Sequence, residues 1–112
     1  MMKTVVEAVS DVTDDTFADE VLSSTLPVLV DFTADWCPGC RMMAPVLAQM
    51  AAENGERLRI VSLNVDHNPR TAAVYGVLAM PTLMLFRAGE PILSLVGARS
   101  KNRLMQELTD VL

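Results

Sequence analysis

Trp36-Cys37-Pro38-Gly39-Cys40 holds the only two cysteines of the chain, three positions apart. Thiols at that spacing can open and close a small disulfide, contribute to a metal site, or sit inert in a core. A structural zinc site usually takes four ligands, and His67 is the only histidine available to join the pair. Reversible thiol–disulfide chemistry is the leading reading, with metal binding and inert burial as rivals. Proline favours the first position of a helix, so Pro38 makes Cys37 the N-cap, its sulfur facing the free amides of the first turn. Those amides and the helix dipole favour an anion, so the Cys37 thiol should ionise readily. Cys40, one turn further on, projects to the same side and is expected to be less exposed than Cys37. An N-cap acceptor bonds the second or third helical N–H, and Gly39 supplies the second.

This chemistry requires a strand, a short loop and a helix start, and the flanking residues predict them. Val28-Leu29-Val30-Asp31-Phe32 is apolar almost throughout, as in a strand buried on both faces. Asp31 is the odd residue, expected to be buried, the alternative being a strand-end carboxylate that reaches solvent. Met42, Met43, Val46, Leu47, Met50 and Ala51 form a helical stripe, with Pro45 a kink and Gly55 a C-terminal cap. Thr4 to Val9 predicts an edge strand, and Thr13-Asp14-Asp15 offers cap chemistry for a helix through Phe17, Val21 and Leu22. Leu58 to Val65 reads as a further strand, and Asn68-Pro69 with Gly76 brackets a short helix. Thr82 to Phe86 and Ile92 to Val96 flank Arg87-Ala88-Gly89-Glu90 as a hairpin. Ser100 caps a last helix carrying Leu104, Met105, Leu108, Val111 and Leu112. The order is βαβαβαββα, an α/β fold.

The 112 residues, 51% of them hydrophobic, fit one domain spanning 1–112 that can bury a core without disulfide scaffolding. Nine Lys and Arg against fourteen Asp and Glu, with a net charge of -5, give no electrostatic footprint for nucleic acid or an anionic membrane. No apolar run approaches the roughly 20 residues of a membrane span, and Glu7 and Asp11 interrupt any signal-peptide core. A reducing cytoplasm and a monomer are the expectations.

Beyond the cysteines, the chain resembles the thioredoxin family. The resemblance is carried by Val28 to Phe32, Ala34 to Cys37, Met42 to Pro45, Leu63 to Asp66, Asn68-Pro69, Tyr75 to Val77, Met80 to Thr82, Phe86, Gly89-Glu90 and Val96 to Ala98, in the family's order and spacing. It implies a central mixed sheet flanked by helices, and an enzyme that reduces protein disulfides. It implies that Cys37 attacks, Cys40 resolves and Asp31 relays the proton Cys40 loses. It implies a cis Pro81, against the trans form that X-Pro bonds ordinarily take, and a substrate groove of Trp36, Pro38, Gly39, Val65, Ala79, Met80, Pro81, Val96 and Gly97. No bound cofactor is implied; reducing equivalents are expected from NADPH through a thioredoxin-reductase-type flavoenzyme, and the other partners are disulfide-containing proteins.

Four departures from the family pattern stand out. Pro38 precedes Gly39, where glycine usually precedes proline. Thr33 stands where tryptophan is usual, Ser62 where lysine is usual near the aspartate, and Ala79 where glycine is common. The proline-first order makes a more oxidising or partner-dedicated protein the alternative, and a binding scaffold with incidental cysteines is the reading from a different class.

Overall fold

The computed structural model describes residues 9–112. Five strands form one mixed sheet in the order β1-β3-β2-β4-β5: β1 (Val9–Asp11), β2 (Val28–Thr33), β3 (Arg59–Asn64), β4 (Thr82–Arg87) and β5 (Glu90–Val96). β1, β3 and β2 run parallel, and β4 pairs antiparallel with β2 and with β5. Val9 is the one residue of the anticipated Thr4–Val9 strand that lies within the described residues, and the strand found runs on from it to Asp11.

β2 is central because its side chains satisfy both faces. Val28, Val30 and Phe32 enter one core with Phe17, Val21, Val61, Leu63, Ala72, Met84 and Phe86. Leu29 enters the other, with Met43, Leu47, Met50, Ile60, Leu83, Leu85, Leu104 and Leu108. Alternation then puts Asp31 on the second face, which α1 (Pro38–Asn54) and α3 (Lys101–Thr109) cover. Met43, Leu47, Met50 and Ala51 carry the inward stripe of α1. Met42, expected in that stripe, is 67% exposed, because the buried set recurs at spacings of three and four from Met43 and Met42 falls on its rim. α1 continues through Pro45 and ends at Gly55, whose φ of −59° is right-handed, so no left-handed cap closes the helix.

Thr13 and Asp14 behave differently from the anticipated helix cap. Thr13 and Thr16 exchange bonds in a tight turn, and the segment Ala18–Leu22 is a wide turn in which Ser23 N–H reaches Ala18 O at 3.0 Å, five residues back. Asp14 instead caps α2 (Pro69–Val74) from across the fold. Its carboxylate accepts from Arg70 N at 3.1 Å, Thr71 N at 2.8 Å and Thr71 Oγ1 at 2.7 Å. Burial resists its charge, but these bonds and the Arg70 guanidinium prevail and hold it below the usual carboxylate range. Asn68, the anticipated cap, makes no side-chain bond to α2 and accepts from Asp14 N at 2.9 Å. The β4–β5 turn has positive φ at Ala88 (53°) and Gly89 (82°), the requirement of a tight two-residue hairpin. Ser100 Oγ caps α3 by accepting from Arg103 N at 3.1 Å, as its sequence predicts.

Candidate active site

The site forms where β2 ends and α1 begins. After Thr33 the chain turns through Ala34, Asp35 and Trp36, with Cys37 N–H donating to Ala34 O at 3.3 Å. Cys37 is extended (φ −98°, ψ 111°) and N-caps α1, with Pro38 at the first helical position. Cys40 N–H donates to Cys37 Sγ at 3.2 Å. The donor is therefore the third helical amide; Gly39's amide, which sequence reasoning offered as the second, makes no such bond. Cys37 and Cys40 are joined as a disulfide with their Cα atoms 5.3 Å apart.

The expected contrast in exposure between the cysteines is absent. Cys37 is 3% exposed and Cys40 4%, because they form a buried cluster with Ala34 against which Val65 and Met80 pack. Gly39 lies directly against the facing loop: a Cβ there would stand 3.3 Å from Pro81 Cδ and 3.6 Å from Ala98 Cβ. The Met80–Pro81 bond is cis. Pro81 O accepts from Gly97 N at 2.9 Å, which ties the Pro81 loop to the segment after β5, and Ala79 O accepts from Thr82 Oγ1 at 2.6 Å within the Pro81 loop itself.

Of the anticipated groove residues, Val65 and Met80 pack on the cysteine cluster. Val96 is brought beside Pro81 by its pairing with Thr82 and remains 60% exposed. Gly97 sits next in line with φ of 99°. Ala79 is exposed. Trp36 is 61% exposed, yet its indole N–H donates to Asp66 Oδ2 at 2.8 Å, which fixes the ring at the rim.

Asp31 is 5% exposed and its Oδ1 has no hydrogen-bond partner among the described residues. Ser62, opposite it in the β2–β3 register, supplies no compensating charge. Desolvation pushes the carboxyl up from its ordinary 3.8 to about 7. His67 is exposed in the loop after β3, and among the described residues no group of three His, Cys, Asp or Glu side chains is arranged to hold a metal ion.

A redox-ready cysteine pair capping a helix, opposite a cis proline on a five-stranded mixed sheet, can be compared with known proteins. The thioredoxin family model matches residues 8–110. The chain belongs to the thioredoxin family. It is 51% identical over 100 residues to a thioredoxin of Mycobacterium tuberculosis, covering 89% of this chain and 86% of that one. It is 46% identical over 101 residues to thioredoxin 1 of Nostoc, covering 90% and 94%. A third relative, the bifunctional thioredoxin reductase/thioredoxin of Mycobacterium leprae, is 46% identical over 101 residues, covering 90% of this chain and 22% of that protein. The chain is accordingly a thiol–disulfide oxidoreductase of the disulfide-reductase kind.

Three features of this thioredoxin site escaped sequence reasoning. The Trp36–Asp66 bond joins residues thirty positions apart and has no local signature. Leu78, 93% exposed on the loop leading to Pro81, presents an apolar side chain to solvent. Arg99 is a buried cation, its side chain 6% exposed, where the sequence shows only an arginine before a helix cap.

Proposed function

We propose that this thioredoxin reduces protein disulfides by attack of Cys37, resolution by Cys40 and proton acceptance by Asp31. The observation that carries the assignment is the bond from Cys40 N–H to Cys37 Sγ at the N-cap of α1, which supports Cys37 as the sulfur that the helix start would stabilise as a thiolate once the pair is reduced. In the reduced protein the Cys37 thiolate attacks one substrate sulfur. The substrate S–S bond breaks, a mixed disulfide forms and one substrate thiolate leaves. Cys40 then gives its proton to the Asp31 carboxylate and attacks Cys37 Sγ, which closes the Cys37–Cys40 disulfide and releases the second substrate thiolate. Two electrons pass to the substrate and the enzyme is left oxidised.

Trp36, Pro38, Gly39, Val65, Ala79, Met80, Pro81, Val96 and Gly97 form the surface on which an extended substrate segment lies, with Met80 offering backbone groups and a pliable side chain. Re-reduction comes from NADPH through a thioredoxin-reductase-type flavoenzyme. The M. leprae relative, whose name unites reductase and thioredoxin, supports that pairing. The protein works as a cytoplasmic monomer; among the described residues no helix is long and apolar enough to cross a membrane.

Cys40→Ala and Cys37→Ala variants test the roles. With a disulfide-containing protein, the Cys40→Ala variant should accumulate a mixed disulfide through Cys37, while Cys37→Ala should accumulate little. Equal trapping by both, or trapping only by Cys37→Ala, overturns the assignment. NADPH consumption with thioredoxin reductase and insulin tests the electron route.

A further inference from the structure

The chain leaves β5 at Val96 and reaches α3 at Lys101 through an irregular link, and a single side chain organises that link. Arg99 Nη2 donates to Val96 O at 2.7 Å and Arg99 Nε to Gly97 O at 3.3 Å. Its Nη1 donates to both Glu107 oxygens, at 2.8 and 2.9 Å, which anchors the guanidinium on α3. Arg99 N–H donates to Met43 Sδ at 3.4 Å, tying the same residue to α1. The Arg99 side chain is 6% exposed, so its guanidinium needs partners for its donors, and here two of its three nitrogens reach backbone carbonyls of one short segment. That segment is the one whose Gly97 N–H holds Pro81 O at 2.9 Å.

We propose that Arg99 is a positioning residue for protein substrates: braced by Glu107, it fixes the Val96–Gly97 wall of the groove in its binding shape without touching substrate or the reacting sulfurs. The proposal rests on the reading of Val96 and Gly97 as groove residues. Gly97 (φ 99°) is the freest backbone position in the link, and a wall left to move there would have to be ordered each time a substrate bound. Holding it beforehand lowers KM for a substrate that spans the groove. It does nothing for a small disulfide that needs only the cysteines. Arginine is required because its planar fork meets two carbonyls and a carboxylate at once, whereas an ammonium is a point charge on a flexible stem.

The test measures kcat and KM of the full-length protein with insulin and with bis(2-hydroxyethyl) disulfide, using dithiothreitol as reductant, for the parent, Arg99→Lys, Arg99→Gln, Glu107→Gln and Val96→Asp. Arg99→Gln should raise KM for insulin about tenfold with kcat within about twofold, and leave the small-disulfide rate within about twofold. Arg99→Lys should recover the melting temperature better than it recovers KM, and Glu107→Gln should give a smaller rise of the same kind. The last two variants carry the test if Arg99→Gln does not fold. Unchanged insulin KM in the Arg99 and Glu107 variants, or equal losses on both substrates, overturns the proposal. Val96→Asp separates it from the reading beneath it. If Val96→Asp raises insulin KM and the Arg99 variants do not, the clamp fails and the groove stands; if Val96→Asp is also silent, the groove reading has failed.

Discussion

Replacing Asp31 by asparagine keeps the shape of the side chain and removes its ionisation, so the effect should depend on pH in a way that ordinary packing changes do not. In the parent, the carboxyl titrates near 3.8 when unfolded and at about 7 when folded, because burial disfavours its charge and its Oδ1 has no partner. Below pH 3.8 it is protonated in both states and contributes nothing. Between pH 3.8 and 7 the unfolded chain loses the proton while the folded protein keeps it, so stability falls as pH rises; above 7 both are ionised and the loss is constant. Three units at 1.36 kcal/mol each make that loss about 4 kcal/mol at pH 8. The asparagine amide carries its own burial cost of about 1–3 kcal/mol, independent of pH. The two stability curves should therefore cross between about pH 4.5 and 6, with Asp31→Asn the less stable protein on the acid side and the more stable on the alkaline side. Urea unfolding of oxidised parent and variant at half-unit steps from pH 4 to pH 8.5 reads this directly. Other carboxylates, including Asp14 with its opposite shift, are present in both proteins and cancel in the difference. Parallel curves would refute burial of an ionising carboxylate at this site, whatever the absolute stabilities.

Three further outcomes are expected. In the reduced native protein at neutral pH, Cys37 should alkylate faster than Cys40, because the first turn of α1 faces its sulfur; peptide mass mapping after a short iodoacetamide pulse checks this, and faster labelling of Cys40 reverses the assignment. Gly39→Ala should lower stability by about 1 kcal/mol and slow exchange with protein disulfides, since the added methyl meets Pro81 at 3.3 Å; unchanged melting and kinetics would show that the loop yields freely. Asp14→Ala should cost about 1–2 kcal/mol by uncapping α2, and the parent's advantage should fade as acid protonates Asp14, below the usual carboxylate range; an advantage that persists undiminished at pH 2 would mean the cap is not ionic.

Short-range signals are legible in the sequence. The apolar run of β2, the Pro38 helix start, the Ala88-Gly89 turn and the Ser100 cap each rest on residues within four positions of one another, where backbone preference decides the outcome. The sequence misleads where a partner comes from far along the chain. Asp14 offers good N-cap chemistry and does cap a helix, but α2 begins fifty-five residues later and captures it. Cys37 reads as exposed from its own neighbours because Val65 and Met80, which bury it, arrive on other loops. Gly39's N–H stands at a suitable position to serve the Cys37 sulfur, yet Cys40's takes that bond, while Gly39 is instead the residue that allows close approach of Pro81. The donor in use is one that a glycine-then-proline order would also retain. Proline-first order therefore gives the Cys37 sulfur no additional amide bond, and the more oxidising alternative gains no support from it.

The stability lost at Asp31 and the chemistry proposed for it have one physical origin. In the proposed mechanism Cys40 gives its proton to the carboxylate, and an ordinary thiol near 8.5 giving a proton to an ordinary carboxylate near 3.8 is uphill by about 6 kcal/mol. Raising the carboxyl to about 7 reduces that to about 2 kcal/mol. The difference is the same quantity, about 4 kcal/mol, by which the buried charge destabilises the folded protein above neutrality. A lysine opposite Asp31 would stabilise the carboxylate, and with it the fold, but would make the carboxylate a weaker base. Ser62 leaves the charge uncompensated on the face that α1 covers. Asp31→Asn should accordingly separate the two quantities, gaining stability at pH 8 while slowing resolution of the mixed disulfide, and a Ser62→Lys variant should do both to a smaller degree by lowering the Asp31 pKa and leaving it ionised.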